Sequence, residues 1–236
     1  MNPLMQVKNL SISYRTSKGI SMVVKNATFT IFKGDIVGLV GESGAGKTTL
    51  ALSLIDLLPE NASKNTGKVI FKGNDITHMS PQEALEIRGK EIGLCLQDAL
   101  ASLNPVLSIG YQLIEVIKYK LNMPAPKARE HALKLLRDFN INDPEKVLNL
   151  YPHELSGGMR QRVLLIMTVA CKPKLIILDE PTSSLDALTE NSIIDFIIGI
   201  KKEFHLAILL ISHNGSLINR ICSRILVLKE GVLSEK

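Results

Sequence analysis

The chain has 236 residues, 45% of them hydrophobic, and a formal charge of +5. That is enough apolar material to bury a substantial core without disulfide or metal staples, as one large domain or as a core with an inserted subdomain. The Lys and Arg are scattered and aromatics are only 4%, so the basicity does not describe a nucleic-acid surface, and no apolar run reaches the roughly 18 residues that a membrane-spanning helix needs.

The opening "MNPLMQVKNLSISY" has no basic start leading into an apolar block, so no signal peptide is expected. Residues 4–14 and 21–31 are β-rich, 32–35 ("FKGD") form a turn, and 36–40 ("IVGLV") form a strand directly before a Gly-rich loop. A helix is predicted over 48–58, stopped by Pro59, then a hairpin strand over 67–76 with a Gly-Asn-Asp turn. Ser80 is placed to cap the next helix, with Pro81 at its first position and Glu83 completing a capping box. After the strand "IGLCL" at 92–96 the character changes. Helical spacing over 109–121, 126–139 and 144–150 predicts a helical insertion between strands. From 174 onward strands and helices alternate again, ending in a hairpin over 224–235. Fully apolar strands such as "LIIL" and "AILLI" predict an α/β fold with a mostly parallel central sheet covered on both faces. Cys95, Cys171 and Cys222 form no CxxC pair and lie in or beside apolar segments, which predicts reduced core thiols in a cytosolic compartment.

The chemistry gathers at strand ends. Gly41–Thr48 ("GESGAGKT") fits G-x-x-x-x-G-K-[ST] between a strand and a helix, a phosphate loop in which backbone amides meet phosphates, Lys47 reaches the β and γ phosphates and the Thr48 hydroxyl ligates Mg²⁺. "LIILDE" at 175–180 is an apolar strand ending in two carboxylates, and charge at a buried strand end calls for a cation or substrate nearby. Asp179 is the candidate Mg²⁺ partner and Glu180 the candidate base for polarising an attacking water. His213 follows the strand "LAILLI" by two residues and Gln97 ends another strand, so both fall at the same sheet edge. A second anion site is suggested far from the first: in "LSGGMRQR" at 155–162, Ser156 can cap a helix whose N-terminus Gly157 and Gly158 leave open.

Taken in order, "GESGAGKTT", Gln97, "LSGGMRQR", "LIILDEPTSSLD" and His213 resemble the nucleotide-binding subunit of ABC transporters over essentially the whole chain. The resemblance implies a single ABC ATPase domain over 1–236: a P-loop core with an N-terminal antiparallel β subdomain (1–98 and 166–236) and an inserted α-helical subdomain (99–165) carrying the signature. It implies ATP and Mg²⁺ as cofactors. The nucleotide would be held by Gly41, Glu42, Ser43, Gly44, Ala45, Gly46, Lys47, Thr48 and Thr49, with Tyr14 stacked on adenine. Mg²⁺ would fall to Thr48, Asp179 and Gln97, the last at the hinge between core and insertion, and catalysis to Glu180, His213 and Lys47. Two cassettes would dock head to tail, so that Ser156, Gly157 and Gly158 meet the γ-phosphate held by the other subunit, with Asp186 communicating between sites.

"QDALASLNPVLSIG" and "YPHELSGGMRQR" are similar to the peptide/nickel importer branch. Ala99 stands where that branch usually has Pro, and Asn214 where an Asp commonly follows the histidine. Only 23 residues follow His213, whereas peptide-type subunits of the branch often carry a long extension, which tips the expected cargo toward nickel or another metal chelate, or a minimal peptide system. The implied partners are a second ABC ATPase subunit, identical or not, two transmembrane permeases and an extracytoplasmic binding protein, with the chain peripheral on the cytoplasmic face of the membrane and no nucleic acid bound. The competing class is a soluble ABC ATPase acting on ribosomes or nucleic acid; it would usually carry two cassettes in one chain or a long coiled coil, and neither is present.

Overall fold

A computed structural model describes residues 2–97, 99–183 and 185–236. Met1, Asp98 and Ser184 lie outside the described residues, and with them the expected junction at 98/99 and one serine of "TSSLD". The N-terminal strands β1 (Met5–Thr16) and β2 (Gly19–Ile31) pair antiparallel, and β4 (Ala62–Phe71) adds to the other side of β1, followed by the short β5 (Asn74–Asp75). On β1, Met5, Val7, Leu10 and Ile12 are buried, an inward row interrupted by a bulge where Asn9 takes φ +48°.

The strands β3 (Ile36–Val40), β6 (Ile92–Cys95), β7 (Leu175–Asp179), β8 (Ala207–Ile211) and β9 (Arg224–Lys229) run parallel, and β10 (Val232–Glu235) returns antiparallel along β9. Among the described residues, the pairing of Val232 with Lys25 joins this part to β2 and gives the order β5-β4-β1-β2-β10-β9-β3-β8-β7-β6. Side chains alternate between two cores. Ile176 and Leu178 of β7 pack with one helical layer, while Leu175 and Ile177 face the other core with Leu50 and Leu54. Burial of each such Leu or Ile contributes about 1.5–3 kcal/mol.

The helices are α1 (Lys47–Ser53), α2 (Pro81–Ile87), α3 (Ala99–Ser102), α4 (Ile109–Leu121), α5 (Ala125–Asp138), α6 (Pro144–Asn149), α7 (Gly157–Val169), α8 (Ala187–Phe204) and α9 (Gly215–Ile221). The capping box at Ser80 forms as the sequence predicts: Glu83 N donates to Ser80 Oγ and Ser80 N to Glu83 Oε2. In the insertion α4 packs on α5 and α6. Helix α7 runs unbroken past residue 165 and lies against β6, where Gln161 Nε2 donates to Cys95 Sγ at 3.8 Å.

Two elements differ in extent from the sequence reading. The helix expected over 48–58 stops at Ser53, because Asp56 turns to φ +55° and its carboxylate accepts from Lys64 Nζ at 2.6 Å and Met79 N at 3.1 Å. Arg88 then takes the Ile55 carbonyl that another helical turn would use. Strand β4 begins at Ala62, five residues before the expected Gly67, since polar residues with no apolar alternation still pair with β1 through Tyr14–Ala62 and Ser13–Ser63. Cys95 and Cys171 are buried and Cys222 is partly so; burial pushes the Cys95 and Cys222 thiols up to about 12. Among the described residues no helix is long and apolar enough to cross a membrane.

Candidate active site

Strand β3 delivers the chain into the loop Gly41–Gly46, and α1 leaves it at Lys47. Two glycines are required by space. A Cβ at Gly41 would sit 2.4 Å from the Leu228 carbonyl oxygen, and Gly46, at φ +100°, would place one 2.6 Å from Val23 Cγ1. Lys47 is 8% exposed, and its ammonium donates to the carbonyls of Gly41 (2.8 Å) and Glu42 (3.0 Å), so it spans the loop mouth. A phosphate brought there exchanges those neutral acceptors for charged ones.

The parallel register sets β7 and β8 beside β3, so their C-terminal ends meet the loop. Asp179, 3% exposed, accepts from Thr48 Oγ1 at 2.6 Å. Burial pushes its carboxyl above the usual range, the Thr48 hydrogen bond and Lys47 charge pull it down, and the neighbouring Glu180 pushes it up. Glu180, at φ +51°, accepts from His213 Nδ1 at 2.8 Å, and its backbone N–H donates to the Ile211 carbonyl. Tyr14 OH lies 3.1 Å from Thr49 Oγ1, and Gln97 Nε2 donates to Ser183 Oγ at 3.3 Å.

These residues enclose one cavity of about 660 Å³ lined by Tyr14, Val23, Ser43, Gly44, Gly46, Lys47, Thr48, Thr49, Gln97, Asp179, Glu180 and His213. Gly41, Glu42 and Ala45 do not line it; they form the back of the loop, with Ala45 N donating to the Glu42 carbonyl. The volume suits a nucleotide-sized ligand. The donor set suits Mg²⁺: a hydroxyl (Thr48), a buried carboxylate (Asp179) and an amide oxygen (Gln97) are hard oxygen ligands for a cation that fills its remaining positions with water and phosphate. Val23 was invisible in the sequence as a site residue, since only the strand pairing brings it against Gly46.

The other predicted group assembles separately. Ser156, Gly157, Gly158 and Asp186 line a second cavity of about 560 Å³, with Met159, Arg162, Leu185, Leu188, Thr189 and Ser192, and the two cavities share none of the described residues. Ser156 caps α7 by accepting from Met159 N, and Asp186 caps α8 by accepting from the amides of Leu188 and Thr189. The Thr189 hydroxyl and these amides hold the Asp186 carboxyl below its usual range. A Cβ at Gly158 would lie 2.7 Å from Thr189 Cγ2, so the two helix N-termini meet at a contact that only glycine allows. The sequence showed Gly158 as an opening for an anion and gave no sign of the α8 contact.

A strand-to-helix phosphate loop, a hydroxyl–carboxylate pair and a carboxylate–imidazole pair at the ends of adjacent parallel strands, with a Ser-capped, Gly-opened helix N-terminus elsewhere, define a P-loop ATPase of the cassette type. The ABC transporter family profile matches residues 24–183, and the chain belongs to that family. The chain is 37% identical over 234 residues to the probable peptide ABC transporter ATP-binding protein y4tR of Sinorhizobium fredii, covering 99% of this chain and 70% of that protein. It is 38% identical over 231 residues to the oligopeptide transport ATP-binding protein OppD of Haemophilus influenzae, covering 98% and 71%. Among solved structures, the dimeric structure of MJ0796, a bacterial ABC transporter cassette, superposes with a TM-score of 0.85 at 26% identity over 98% of this chain and 97% of that one. The same cassette in a post-hydrolysis dimer bound to ADP and Pi gives the same score and coverage. The fold is therefore the ABC ATPase fold and the chain an ATP-binding ATPase.

Proposed function

We propose that this chain is the ATP-hydrolysing subunit of an oligopeptide importer, peripheral on the cytoplasmic face of the membrane, working with a second cassette, two permeases and an extracytoplasmic binding protein. The observation that carries the hydrolytic reading is the Glu180–His213 pair, 2.8 Å apart at the mouth of the phosphate-loop cavity. Glu180 serves as the base that orients and polarises water, His213 holds Glu180 and meets the γ-phosphate, and Lys47 leaves its loop carbonyls for the β and γ phosphates. Mg²⁺, held by Thr48, Asp179 and Gln97, supplies charge neutralisation on the phosphate oxygens when bound. Tyr14 stacks on adenine, with its hydroxyl braced by Thr49.

The separation of the two cavities supports pairing. Ser156, Gly157 and Gly158 lie outside the chain's own phosphate-loop cavity, so their open amides serve the nucleotide of a second cassette, with Asp186 beside them. We assign residues 1–98 with 166–236 to the core and 99–165 to the helical lobe, α7 being the shared strut. Both reported relatives are named for peptide transport, which favours peptide over the metal-chelate cargo. Isolation of the native complex tests the reading: co-purified permeases with ATPase activity stimulated by a peptide-loaded binding protein support it, whereas co-purified ribosomes or nucleic acid overturn it.

A further inference from the structure

The hydrolytic pair stands on two short loops, and one side chain outside the cavity joins them. Glu190, in the first turn of α8, uses a single carboxylate oxygen for both: Oε1 accepts from Thr182 Oγ1 at 2.9 Å and from Asn214 Nδ2 at 3.3 Å. Thr182 lies two residues after Glu180 and is buried, and Asn214 directly follows His213. None of the three lines the phosphate-loop cavity.

The direction of the Asn214 amide is set by its neighbours. Its Oδ1 caps α9 by accepting from Leu217 N at 3.2 Å, and it also accepts from Ser216 Oγ at 2.7 Å. The backbone N–H can only donate, so the carbonyl oxygen must face the helix and the NH₂ must face Glu190. An amide alone offers an acceptor on one side and a donor on the other. Aspartate has the same shape and keeps the cap, yet it sets a carboxylate against a carboxylate. Among the described residues no cation is paired with Glu190: on α9, Arg220 is engaged with Asn191 Oδ1, and on α8 the nearest charge one turn back is Asp186.

We propose that Glu190 and Asn214 are positioning residues for hydrolysis, an amide–carboxylate latch that ties the turn after Glu180 to the loop carrying His213. Glu180 sits in the left-handed region at φ +51°, a conformation that surrounding contacts must hold. The latch spans both flanks of its hydrogen bond to His213. The proposal rests on Glu180 and His213 being the hydrolytic pair.

The test compares kcat and ATP Kd at neutral pH for the full chain, purified with the subunits it co-isolates with. Glu190→Gln keeps an oxygen facing Asn214 and should hydrolyse within about threefold of the wild type. Asn214→Asp should lose about tenfold in kcat with ATP Kd within about twofold, since the phosphate loop is untouched. The double variant Asn214→Asp/Glu190→Gln restores a donor opposite an acceptor with the roles exchanged, and kcat should return to within about threefold of the wild type. A role in stability alone would instead lower the Tm of Asn214→Asp and leave the kcat of its folded fraction unchanged. Unchanged kcat in Asn214→Asp, or a double variant no faster than the single, overturns the latch. If Asn214→Asp does not fold, Glu190→Ala removes the bond from Asn214 together with the one from Thr182, and wild-type kcat there overturns it equally. Glu180→Gln run in parallel separates the two ideas: wild-type hydrolysis in that variant sinks the catalytic assignment, while the coupling between 190 and 214 is scored from its own variants.

Discussion

Glu180→Gln isolates one charge. Glutamine keeps the size of the side chain, suits the φ of +51° no worse than glutamate, and retains an oxygen to accept from His213 Nδ1 across 2.8 Å. What disappears is the negative charge that the proposed base would offer to an attacking water. A positioned general base contributes about 10²–10⁴ in rate, equivalent to about 2.7–5.4 kcal/mol of barrier. Single-turnover hydrolysis should therefore slow at least about a hundredfold while ATP Kd stays within about twofold, because the loop amides and Lys47 are unchanged. ATP that binds and is not hydrolysed should hold two cassettes together, so sizing with Mg-ATP, including the paired ATPase where the natural dimer is heteromeric, should show a dimer. Ser156→Arg pushes a long cation into the second cavity, about 560 Å³ and bordered by Asp186. Added to Glu180→Gln it should return the complex to monomer while each chain still binds ATP. A dimer that persists in the double variant refutes the clasp by Ser156, Gly157 and Gly158, and hydrolysis within about threefold of the wild type in Glu180→Gln refutes the base.

Lys47→Ala should weaken ATP binding at least about thirtyfold in equilibrium titration, since it removes a cation held at the phosphates; unchanged affinity would eliminate that role. Tyr14→Ala should weaken ATP about five- to a hundredfold and leave inorganic triphosphate unaffected, whereas Tyr14→Phe keeps the stacking face; equal losses for both ligands would rule stacking out. At Asp56, burial raises the carboxyl, but the Lys64 hydrogen bond, the Met79 amide and the Lys64 charge together bring it below the usual carboxylate range. A folded-state value below the unfolded one gives stability that is present above about pH 4 and lost as the pH falls through the lower value. Thermal melts from pH 5 down to pH 2 should show that loss, with a flatter slope in Asp56→Asn. Asp56→Ala at neutral pH leaves Lys64, whose side chain is 2% exposed, without its counter-ion and should cost about 2 kcal/mol; a change below about 0.5 kcal/mol would mean that the pair is not structural.

Local signals in the sequence translated directly. Ser80 with Glu83, the apolar strands ending at Asp179 and Ile211, and the strand–loop–helix around Lys47 each depend on residues a few positions apart, and each formed as read. Misread boundaries lie where a distant partner decides. Asp56 ends α1 because Lys64 and Met79 reach it, and the polar start of β4 is a strand because β1 lies alongside. Within the candidate site the motif residues were legible because their chemistry is unusual at a strand end. Val23 and Glu190 were not, since a valine on a strand and a glutamate on a helix are ordinary until the fold brings Gly46 and Asn214 to them. Asn214 illustrates both cases. It departs from the family's usual Asp, and its reason appears only in the Glu190 carboxylate that it faces.

The sheet order bears on the sequence of events during synthesis. Strand β3, which launches the phosphate loop, pairs with β8 on one side and β9 on the other. Both partners leave the ribosome more than 160 residues after it. While residues 1–206 are emerging, Ile36–Val40 has neither neighbour, and the antiparallel sheet of β1, β2 and β4, whose pairings all lie within residues 5–71, can already be complete. Among the described residues, its ladder contact with the parallel part, Val232 to Lys25, arrives later still. The antiparallel strands thus form early, and the phosphate-loop cavity closes in a later, long-range step. A nascent chain stalled before residue 207 should expose an unpaired apolar strand to chaperones, and nucleotide cannot hasten its folding until β8 and β9 have arrived.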